Sequence, residues 1–409
     1  MTAGPARRVV ITGMGVVSSI GIGLAEFAAG LRAGRSGAGR ASTFDATGFP
    51  SEQVCEVSGF HAADWLAGAP GRLSRTSRFA VAATTMTLAD ARMDADALRS
   101  RRGLVVVGTT DGQSQDIDDL VATMVAEGPE KMDPVLTGRL SAQRLALDIA
   151  REFRLSDVDA YTIGTACSAA NYAIGDAFDA VRSGAVDYAL AGGADVVNRR
   201  SFASFHRLGL VAPDVCRPFD SGRAGILTGE GAGIVLLETL ESALARGATV
   251  HAEVLGYGLN CDAGNPVAPD RASVARCMRL ALDDAGVSPA EVDLISAHGT
   301  GTRLNDITEC DAIRDVYGDR PPRTIALKSM LGHAMGASAA LATVACAVAL
   351  EQGFVPPTIN HRETDPACGL DCVPNEAIEA DLTVVQNNGL AFGGNNAVVV
   401  LAKPERTPA

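Results

Sequence analysis

Three reactive side chains lie in short, glycine-bearing segments of this chain. Cys167 lies within residues 164–170, which read Gly-Thr-Ala-Cys-Ser-Ala-Ala. His298 opens the run His-Gly-Thr-Gly-Thr, and His333 comes five residues after Lys328. A thiol is a good nucleophile, and imidazoles beside it can donate hydrogen bonds to an oxyanion as its charge develops. This set of residues predicts thioester chemistry.

Cys167 is expected at the start of a helix. The strand-like residues 161–163 end at Gly164, an apolar stripe at helical spacing follows, and Gly184 is placed to end the helix. Unpaired N–H groups and the helix dipole at this position favour the thiolate, so we expect a lowered pKa for Cys167. The competing interpretation is a buried structural cysteine, which is the commonest fate of this residue type.

Both histidines follow predicted strands. Residues 294–297 lead into His298, and residues 324–327 lead into the segment that holds His333. The neighbouring glycines allow the backbone to approach a ligand closely. Thr300 and Thr302 would offer hydroxyls to a polar ligand arm. The remaining histidines are expected to be structural: His61, His206, His251 and His361.

Lys328 is one of only three lysines among 35 basic residues. In such a lysine-poor chain, a lysine beside glycine, serine and histidine suggests a need for a compact ammonium group, which the planar guanidinium of arginine cannot replace. The alternative is an ordinary solvated surface lysine, and the apolar surroundings disfavour it.

Composition narrows the class of protein. The 409 residues are 47% hydrophobic and 20% charged, as in a globular protein, and the net charge of −13 argues against a nucleic-acid partner. Nine scattered cysteines without Cys-x-x-Cys pairs indicate a reducing compartment, with neither disulfides nor a zinc site. A dinucleotide fingerprint at Gly13 and Gly15 is rejected because Ser18 occupies the third glycine position. Asp306 and Glu309 lie near His298 in sequence without a second ligand pattern, so no metal is expected.

Two uncharged stretches invite confusion with membrane or targeting segments. Residues 9–25 are interrupted by four glycines and lack a continuous leucine-rich core, which disfavours a signal peptide. Residues 334–350 are mostly alanine and just short of a spanning length, so a buried helix is the better interpretation. We therefore expect a cytoplasmic protein with no membrane partner.

The order of elements predicts an α/β fold. Short apolar strands, loops with reactive residues and helices recur in both halves of the chain, which favours parallel strands and suggests an internal duplication. No linker-like composition separates the halves, so one compact body is expected.

The ordered motifs of the chain resemble those of β-ketoacyl-(acyl carrier protein) synthases of the elongating Cys-His-His type, in the thiolase superfamily. The resemblance covers nearly the whole chain and rests on residues 8–15, 165–167, 217–220, 229–233, 298–302, 328–333 and 392–394. It implies the thiolase fold, an α/β architecture with two similar five-layer αβαβα halves, here residues 1–255 and 256–409, and normally a dimer. Thiolases use a second catalytic cysteine, and initiating synthases carry asparagine in place of His333.

The resemblance also implies roles for the reactive residues. Cys167 would be the acylated nucleophile, and His298 and His333 would assist decarboxylation of a malonyl thioester. Lys328 would position His333 and hold its charge state. The N–H groups of Cys167 and Phe392 would form the oxyanion hole.

The substrate-binding roles come from the same resemblance. Thr300 and Thr302 would bind the phosphopantetheine arm, Phe392 would act as a gate, and Phe202 would line the acyl pocket. No cofactor of the enzyme's own is implied, because phosphopantetheine arrives on the acyl carrier protein, which is the expected partner.

Three segments depart from the housekeeping fatty-acid enzymes of this family. Residues 260–266 replace a serine-rich, histidine-containing loop, Leu390-Ala391 replaces Phe-Gly before the gate, and Asn395-Asn396 replaces Thr-Asn. These changes favour a type II polyketide or polyene enzyme paired with a homologous chain-length-factor subunit. The alternatives are a homodimeric primary fatty-acid elongation enzyme and a non-catalytic partner subunit; the retained Cys167, His298 and His333 disfavour the latter.

Overall fold

The computed structural model describes residues 7–68 and 70–404. Its strands are β1 (Val9–Ser18), β2 (Gly21–Ile22), β3 (Gly39–Arg40), β4 (Gln53–Val54), β5 (Gly103–Gly108), β6 (Val158–Ile163), β7 (Tyr188–Asp195), β8 (Gly231–Thr239), β9 (Ala252–Cys261), β10 (Leu294–Ser296), β11 (Arg323–Ile325), β12 (Phe354–Val355), β13 (Ile378–Glu379), β14 (Val384–Gly389) and β15 (Asn395–Ala402). Its α-helices are α1 (Leu24–Arg32), α2 (Arg75–Asp90), α3 (Ala95–Arg99), α4 (Ser114–Glu127), α5 (Pro134–Thr137), α6 (Arg144–Glu152), α7 (Ala169–Ser183), α8 (Arg199–Arg207), α9 (Leu240–Ala245), α10 (Arg271–Ala285), α11 (Arg303–Tyr317), α12 (Lys328–Leu331) and α13 (Ser338–Gln352).

The long strands form two half-sheets with the same topology. In the first, β6, β5 and β7 are parallel, and β8 and β1 follow as antiparallel neighbours. In the second, β11, β10 and β14 are parallel, and β15 and β9 follow in the same way. The half-sheets join where residues 9–11 of β1 pair with residues 252–254 of β9. The suggested duplication is therefore present at the level of topology.

The expected parallel strands are present in each half-sheet, and two further strands of each half-sheet are antiparallel to their neighbours. β15 follows β14 after a five-residue loop and pairs with it in antiparallel fashion. A connection this short can only reverse the chain, whereas a parallel neighbour needs a long crossover. Each half-sheet is consequently mixed.

Helices α7 and α13 lie between the half-sheets and contact strands of both. Helices α2 and α6 cover the outer face of the first half-sheet, and α10 covers the outer face of the second with α11 packed beside it. Three apolar cores fill the spaces between these layers. The result is the predicted five-layered α/β arrangement. The division into residues 1–255 and 256–409 stays a prediction, and β9 spans that boundary.

The apolar helix near residue 340 belongs to the middle layer. Among the described residues, one helical stretch, Met335–Gln352, is long and apolar enough to cross a membrane, and 78% of it is buried inside the protein. Its alanine-rich sequence suits this position because small side chains let the flanking sheets approach closely. The prediction of a buried core helix is confirmed.

His251, just before β9, forms ion pairs with helices of two different layers. Its Nε2 lies 2.9 Å from an oxygen of Asp90 at the end of α2, and its Nδ1 lies 3.0 Å from an oxygen of Glu351 in α13. Burial lowers the pKa of His251, but the two carboxylates outweigh burial and raise the pKa to about 9. The imidazolium therefore links the outer helix α2 to the middle helix α13.

This ion-pair cluster predicts a pH-dependent contribution to stability. A folded-state pKa above the unfolded value means that the stabilisation is fully present below pH 6.5 and is lost as the pH rises through about 9. We expect His251→Gln to lower the free energy of unfolding by about 2 kcal/mol at neutral pH, a figure reduced for the partial exposure of the carboxylates. Denaturant titrations across this range should show the difference shrinking at alkaline pH. The exposed His61, changed to Gln, is the control, and a pH-independent difference would contradict the prediction.

Candidate active site

The residues singled out from the sequence converge on one cavity of about 430 Å³. Cys167, His298, His333, Thr300, Thr302 and Phe392 all line it. Cys167 comes from the loop after β6, the histidines come from the loops after β10 and β11, and Phe392 comes from the loop between β14 and β15. The ends of strands from both half-sheets thus meet at this point, as expected for a site in an α/β fold.

Cys167 lies in a tight turn, Ala166–Ser168, that leads directly into α7. Ala166 has φ = 51°, in the left-handed region that costs a non-glycine residue of order 1–2 kcal/mol. The predicted placement at a helix start is confirmed. The strained turn sets the direction of the thiol, which is 5% exposed.

The expected lowering of the Cys167 pKa is wrong. Burial raises the pKa of the thiol to about 11, although the Lys328 charge and the N–H of Phe392 lower it. Burial dominates because a thiolate loses its hydration in an apolar setting, and helix-end N–H groups compensate only in part. Cys167 is therefore held as a thiol.

His333 is held in one tautomer by its own loop. The N–H of Met335 donates to its Nδ1 at 3.1 Å, and the Ser338 hydroxyl lies 3.1 Å from the same atom. Nδ1 is thus an acceptor, so the hydrogen of the neutral ring is on Nε2. Burial and the charge of Lys328 hold the pKa of His333 well below its usual value. The ring is a neutral hydrogen-bond donor.

His298 is also a neutral hydrogen-bond donor, and the group that faces its Nδ1 is Lys328. Lys328 Nζ lies 3.3 Å from its Nδ1 and donates to its backbone oxygen at 2.5 Å. Burial, the Lys328 charge and His333 hold the pKa of His298 well below its usual value. Because Nδ1 of His298 faces the ammonium group of Lys328, the hydrogen of the neutral His298 ring is also on Nε2. The two imidazole centroids are 5.4 Å apart, so two neutral N–H donors serve one small volume.

The role of Lys328 in positioning His333 and holding its charge state stays a prediction. In the structure the ammonium group binds His298, and its charge lowers the pKa of both histidines. Lys328 is 8% exposed, which rules out a solvated surface lysine. Burial lowers its own pKa, opposed by Cys167 whenever that thiol is ionised and by the charge of Glu309.

Lys328→Arg should fold normally and lose most of the decarboxylation activity that the family resemblance implies. A planar guanidinium cannot occupy a buried ammonium site between a backbone oxygen and an imidazole without displacing His298. We expect a loss of about 10²-fold, typical of a misplaced catalytic group. Release of CO₂ from malonyl-carrier protein measures the effect. Lys403→Arg, at a surface ion pair with Asp381, is the matched control. A fully active Lys328→Arg protein would contradict the assignment.

Two carboxylates of α11 hold the His298 loop and were missed as functional residues in the sequence. Glu309 accepts the N–H groups of His298 and Gly299 at 2.8 and 2.9 Å. Asp306 accepts those of Thr300 and Gly301 at 3.1 and 3.2 Å. Both side chains are fully buried. Acidic residues three apart at a helix start, directly after a glycine-rich loop, were the available signal.

The predicted ligand-binding residues divide into two groups. The hydroxyls of Thr300 and Thr302 lie 2.9 Å apart on the cavity wall. Phe392 is 37% exposed, and its ring lies 5.9 Å from that of Phe205. Phe202 does not border this cavity, because it packs against Phe44, Phe49 and His206. Its role in an acyl pocket stays a prediction.

Two of the three segments that depart from the housekeeping enzymes border the cavity. Leu390, Ala391 and Asn265 line it together with Phe392. The loop between β14 and β15 is joined to the Asn265 loop where Gly393 N–H donates to Pro266 O at 2.8 Å. A change in one of these loops therefore affects the other.

Family models match most of the chain. The N-terminal domain of β-ketoacyl synthases matches residues 6–243, and the C-terminal domain matches residues 251–362. This chain belongs to the β-ketoacyl synthase family. The enzyme class expected from the motifs is confirmed, and the cavity described above is the candidate active site of a ketosynthase.

Among curated relatives, the synthase is 35% identical to 3-oxoacyl-[acyl-carrier-protein] synthase 2 of Synechocystis sp., across 97% of this chain and 98% of that protein. It is also 35% identical to Nodulation protein E of Rhizobium sp. (strain N33), across 96% and 98%.

Solved structures are similar over the whole chain. The ishigamide ketosynthase/chain length factor aligns with a TM-score of 0.96 at 58% identity, covering 98% of this synthase and 100% of that chain. A type II polyketide synthase complex, AntDE:AntF, in which an acyl-carrier protein is bound to its ketosynthase, aligns with a TM-score of 0.90 at 30% identity, covering 98% and 100%. The predicted thiolase fold is confirmed.

Proposed function

We propose that this synthase catalyses decarboxylative Claisen condensation between an acyl group on Cys167 and a malonyl group on an acyl carrier protein. The arrangement that carries the proposal is a buried thiol facing a cavity with two neutral imidazoles, both holding their hydrogen on Nε2. Phosphopantetheine reaches the cavity on the carrier protein, and Thr300 and Thr302 bind its polar arm.

In the first half-reaction, the Cys167 sulfur attacks the acyl thioester. The bond from the acyl carbon to the carrier sulfur breaks, and the thiol proton of Cys167 ends on the departing carrier thiol. The N–H groups of Cys167 and Phe392 stabilise the oxyanion of the tetrahedral intermediate.

In the second half-reaction, the C–CO₂ bond of the malonyl group breaks and its electron pair forms an enolate. The Nε2–H groups of His298 and His333 donate to the enolate oxygen, which a neutral ring with its hydrogen on Nε2 can do. The enolate carbon attacks the acyl-Cys167 carbonyl, and the Cys167 thiolate departs and takes up a proton. The products are CO₂, a β-ketoacyl carrier and the free thiol.

The charge of Lys328 and the N–H of Phe392 stabilise the departing thiolate, since both lower the pKa of Cys167. They assist the step in which sulfur becomes negative, although burial keeps the resting group protonated. Because the thiol is protonated at rest and its thiolate is stabilised when it forms, one cysteine can serve as nucleophile and as leaving group.

We assign the reaction to type II polyketide or polyene chain elongation in the cytoplasm. The likeness to the ishigamide ketosynthase/chain length factor and to AntDE:AntF supports this assignment, as do the altered residues beside Phe392. The partners are an acyl carrier protein and a homologous chain-length-factor subunit, with neither nucleic acid nor a membrane involved. The second candidate is homodimeric fatty-acid elongation, which the relation to 3-oxoacyl-[acyl-carrier-protein] synthase 2 supports.

A reconstitution assay separates the two pathways. Purified synthase, with and without a homologous synthase subunit, is given malonyl-carrier protein and either saturated or unsaturated acyl carriers. Faster extension of unsaturated carriers that depends on the added subunit supports the polyketide or polyene assignment. Efficient extension of saturated medium-chain carriers by the synthase alone would refute it. An acyl adduct on the synthase, detected by mass spectrometry, would exclude the alternative of a non-catalytic subunit.

A further inference from the structure

Asp195, the last residue of β7, is a buried carboxylate at the centre of the molecule. It is 0% exposed and has no arginine or lysine within ion-pair distance among the described residues. It instead accepts four hydrogen bonds from two different loops. Burial and neighbouring Asp111 raise its pKa to about 7, while the donors lower it. A carboxylate kept here without a counter-ion needs those donors, because burying a charge is costly.

Three of the four donors belong to the loop after β5. The Thr109 hydroxyl donates to Oδ1 at 2.6 Å, the Asp111 N–H donates to the same oxygen at 3.0 Å, and the Thr110 N–H donates to Oδ2 at 2.8 Å. These bonds fix Asp195 in one orientation. Its second oxygen is then directed at the other loop.

The fourth donor is Gly336, in the turn that follows His333. Its N–H reaches Asp195 Oδ2 at 2.7 Å. The residue before it, Met335, has φ = 48°, a left-handed conformation that a non-glycine residue adopts only when held. The N–H of Met335 is the group that donates to His333 Nδ1. A chain of two hydrogen bonds therefore links Asp195 to the imidazole.

The two loops are packed too closely for this link to be incidental. A Cβ on Gly336 would lie 2.6 Å from the backbone of Thr109, so only glycine fits between them. The Asp195 carboxylate accepts hydrogen bonds from both loops at this contact. If Gly336 were released, Met335 could relax to an ordinary conformation and withdraw its N–H from His333.

We propose that Asp195 is a positioning residue for His333. It holds the Gly336 N–H, which keeps Met335 in its left-handed conformation and the hydrogen of His333 on Nε2, where it faces the enolate oxygen. The inference rests on the proposed role of His333 in decarboxylation. It predicts that loss of Asp195 lowers the malonyl half-reaction and does not lower acyl transfer to Cys167, because the negative charge of Asp195 raises the pKa of that thiol.

The test compares the two half-reactions in Asp195→Asn, above the Asp195 pKa. Each oxygen of Asp195 accepts two of the four donors, and the amide nitrogen of asparagine accepts none, so two donors lose their acceptor. We expect CO₂ release from malonyl-carrier protein to fall about 10²-fold in kcat, the size of a positioning defect, with KM and acyl-Cys167 formation within about threefold of wild type. Asp148→Asn, a buried carboxylate between α2 and α6 that accepts from Ser77 and Arg144, is the matched control.

A milder variant covers the case in which Asp195→Asn fails to fold. Thr109→Val removes the hydroxyl that donates to Asp195 and accepts the Gly112 N–H, and it should lower decarboxylation about 10-fold with acylation unchanged. If both half-reactions fall together in either folded variant, the role of Asp195 is structural and the inference is overturned. It is also overturned if neither falls. Failure of the wild-type protein to release CO₂ would instead refute the proposed function.

Discussion

Cys167→Ala should abolish acyl transfer to this synthase. Intact mass analysis after incubation with an acyl-carrier protein is expected to show one acyl adduct on the wild-type chain and none on the variant. Condensation should fall by roughly 10⁶-fold, as when other enzymes lose a covalent nucleophile. The variant should fold normally, since alanine fits where a small, 5% exposed side chain stood.

The matched control for this experiment is Cys261→Ala. Cys261 is the exposed member of the nine cysteines and the thiol most open to non-specific acylation. The adduct should persist in that variant. An adduct that survives Cys167→Ala and disappears with Cys261→Ala would contradict the assignment of the nucleophile.

His298→Ala and His333→Ala should separate the two half-reactions. Each removes one N–H donor to the enolate oxygen, and loss of one such donor costs about 10²–10³-fold in rate. Acyl-Cys167 formation should remain measurable, because its oxyanion is held by backbone N–H groups. Single-turnover acylation and CO₂ release, measured separately, check the prediction.

The same two histidines predict the pH dependence of decarboxylation. Both have pKa values held well below 6.5, so they stay neutral donors as the pH falls through that value. The two imidazoles should therefore cause no loss of rate near pH 6.5, and a loss near pH 7 would report protonation of Asp195, whose pKa is raised to about 7. The exposed His61, changed to Ala, serves as the control for general effects of removing an imidazole. Near wild-type condensation by both histidine variants would refute their roles.

The sequence alone was sufficient to locate the reactive set. Cys167, His298 and His333 are each marked by glycine-bearing loops that follow predicted strands, and the cavity brings all three together. The start of α7 and its end at Gly184 were also predictable, because an apolar stripe and a left-handed glycine are local signals. So was the burial of the alanine-rich helix.

Only the tertiary structure decided the pKa values and the hydrogen-bond partners of these groups. The helix start at Cys167 suggested a lowered pKa, yet burial by the surrounding layers raises it. Lys328 lies closer in sequence to His333 but binds His298, because β10 and β11 are adjacent parallel strands that bring their following loops together.

The supporting carboxylates have the same explanation. Glu309 binds N–H groups about ten residues away, but Asp195 binds Gly336 across 141 residues. Hydration, charge and hydrogen bonding at a buried site depend on every segment packed around it, and such contacts leave no periodic trace along the chain. The sequence thus identified the candidate reactive groups, and the packing of the two half-sheets determined their protonation and direction.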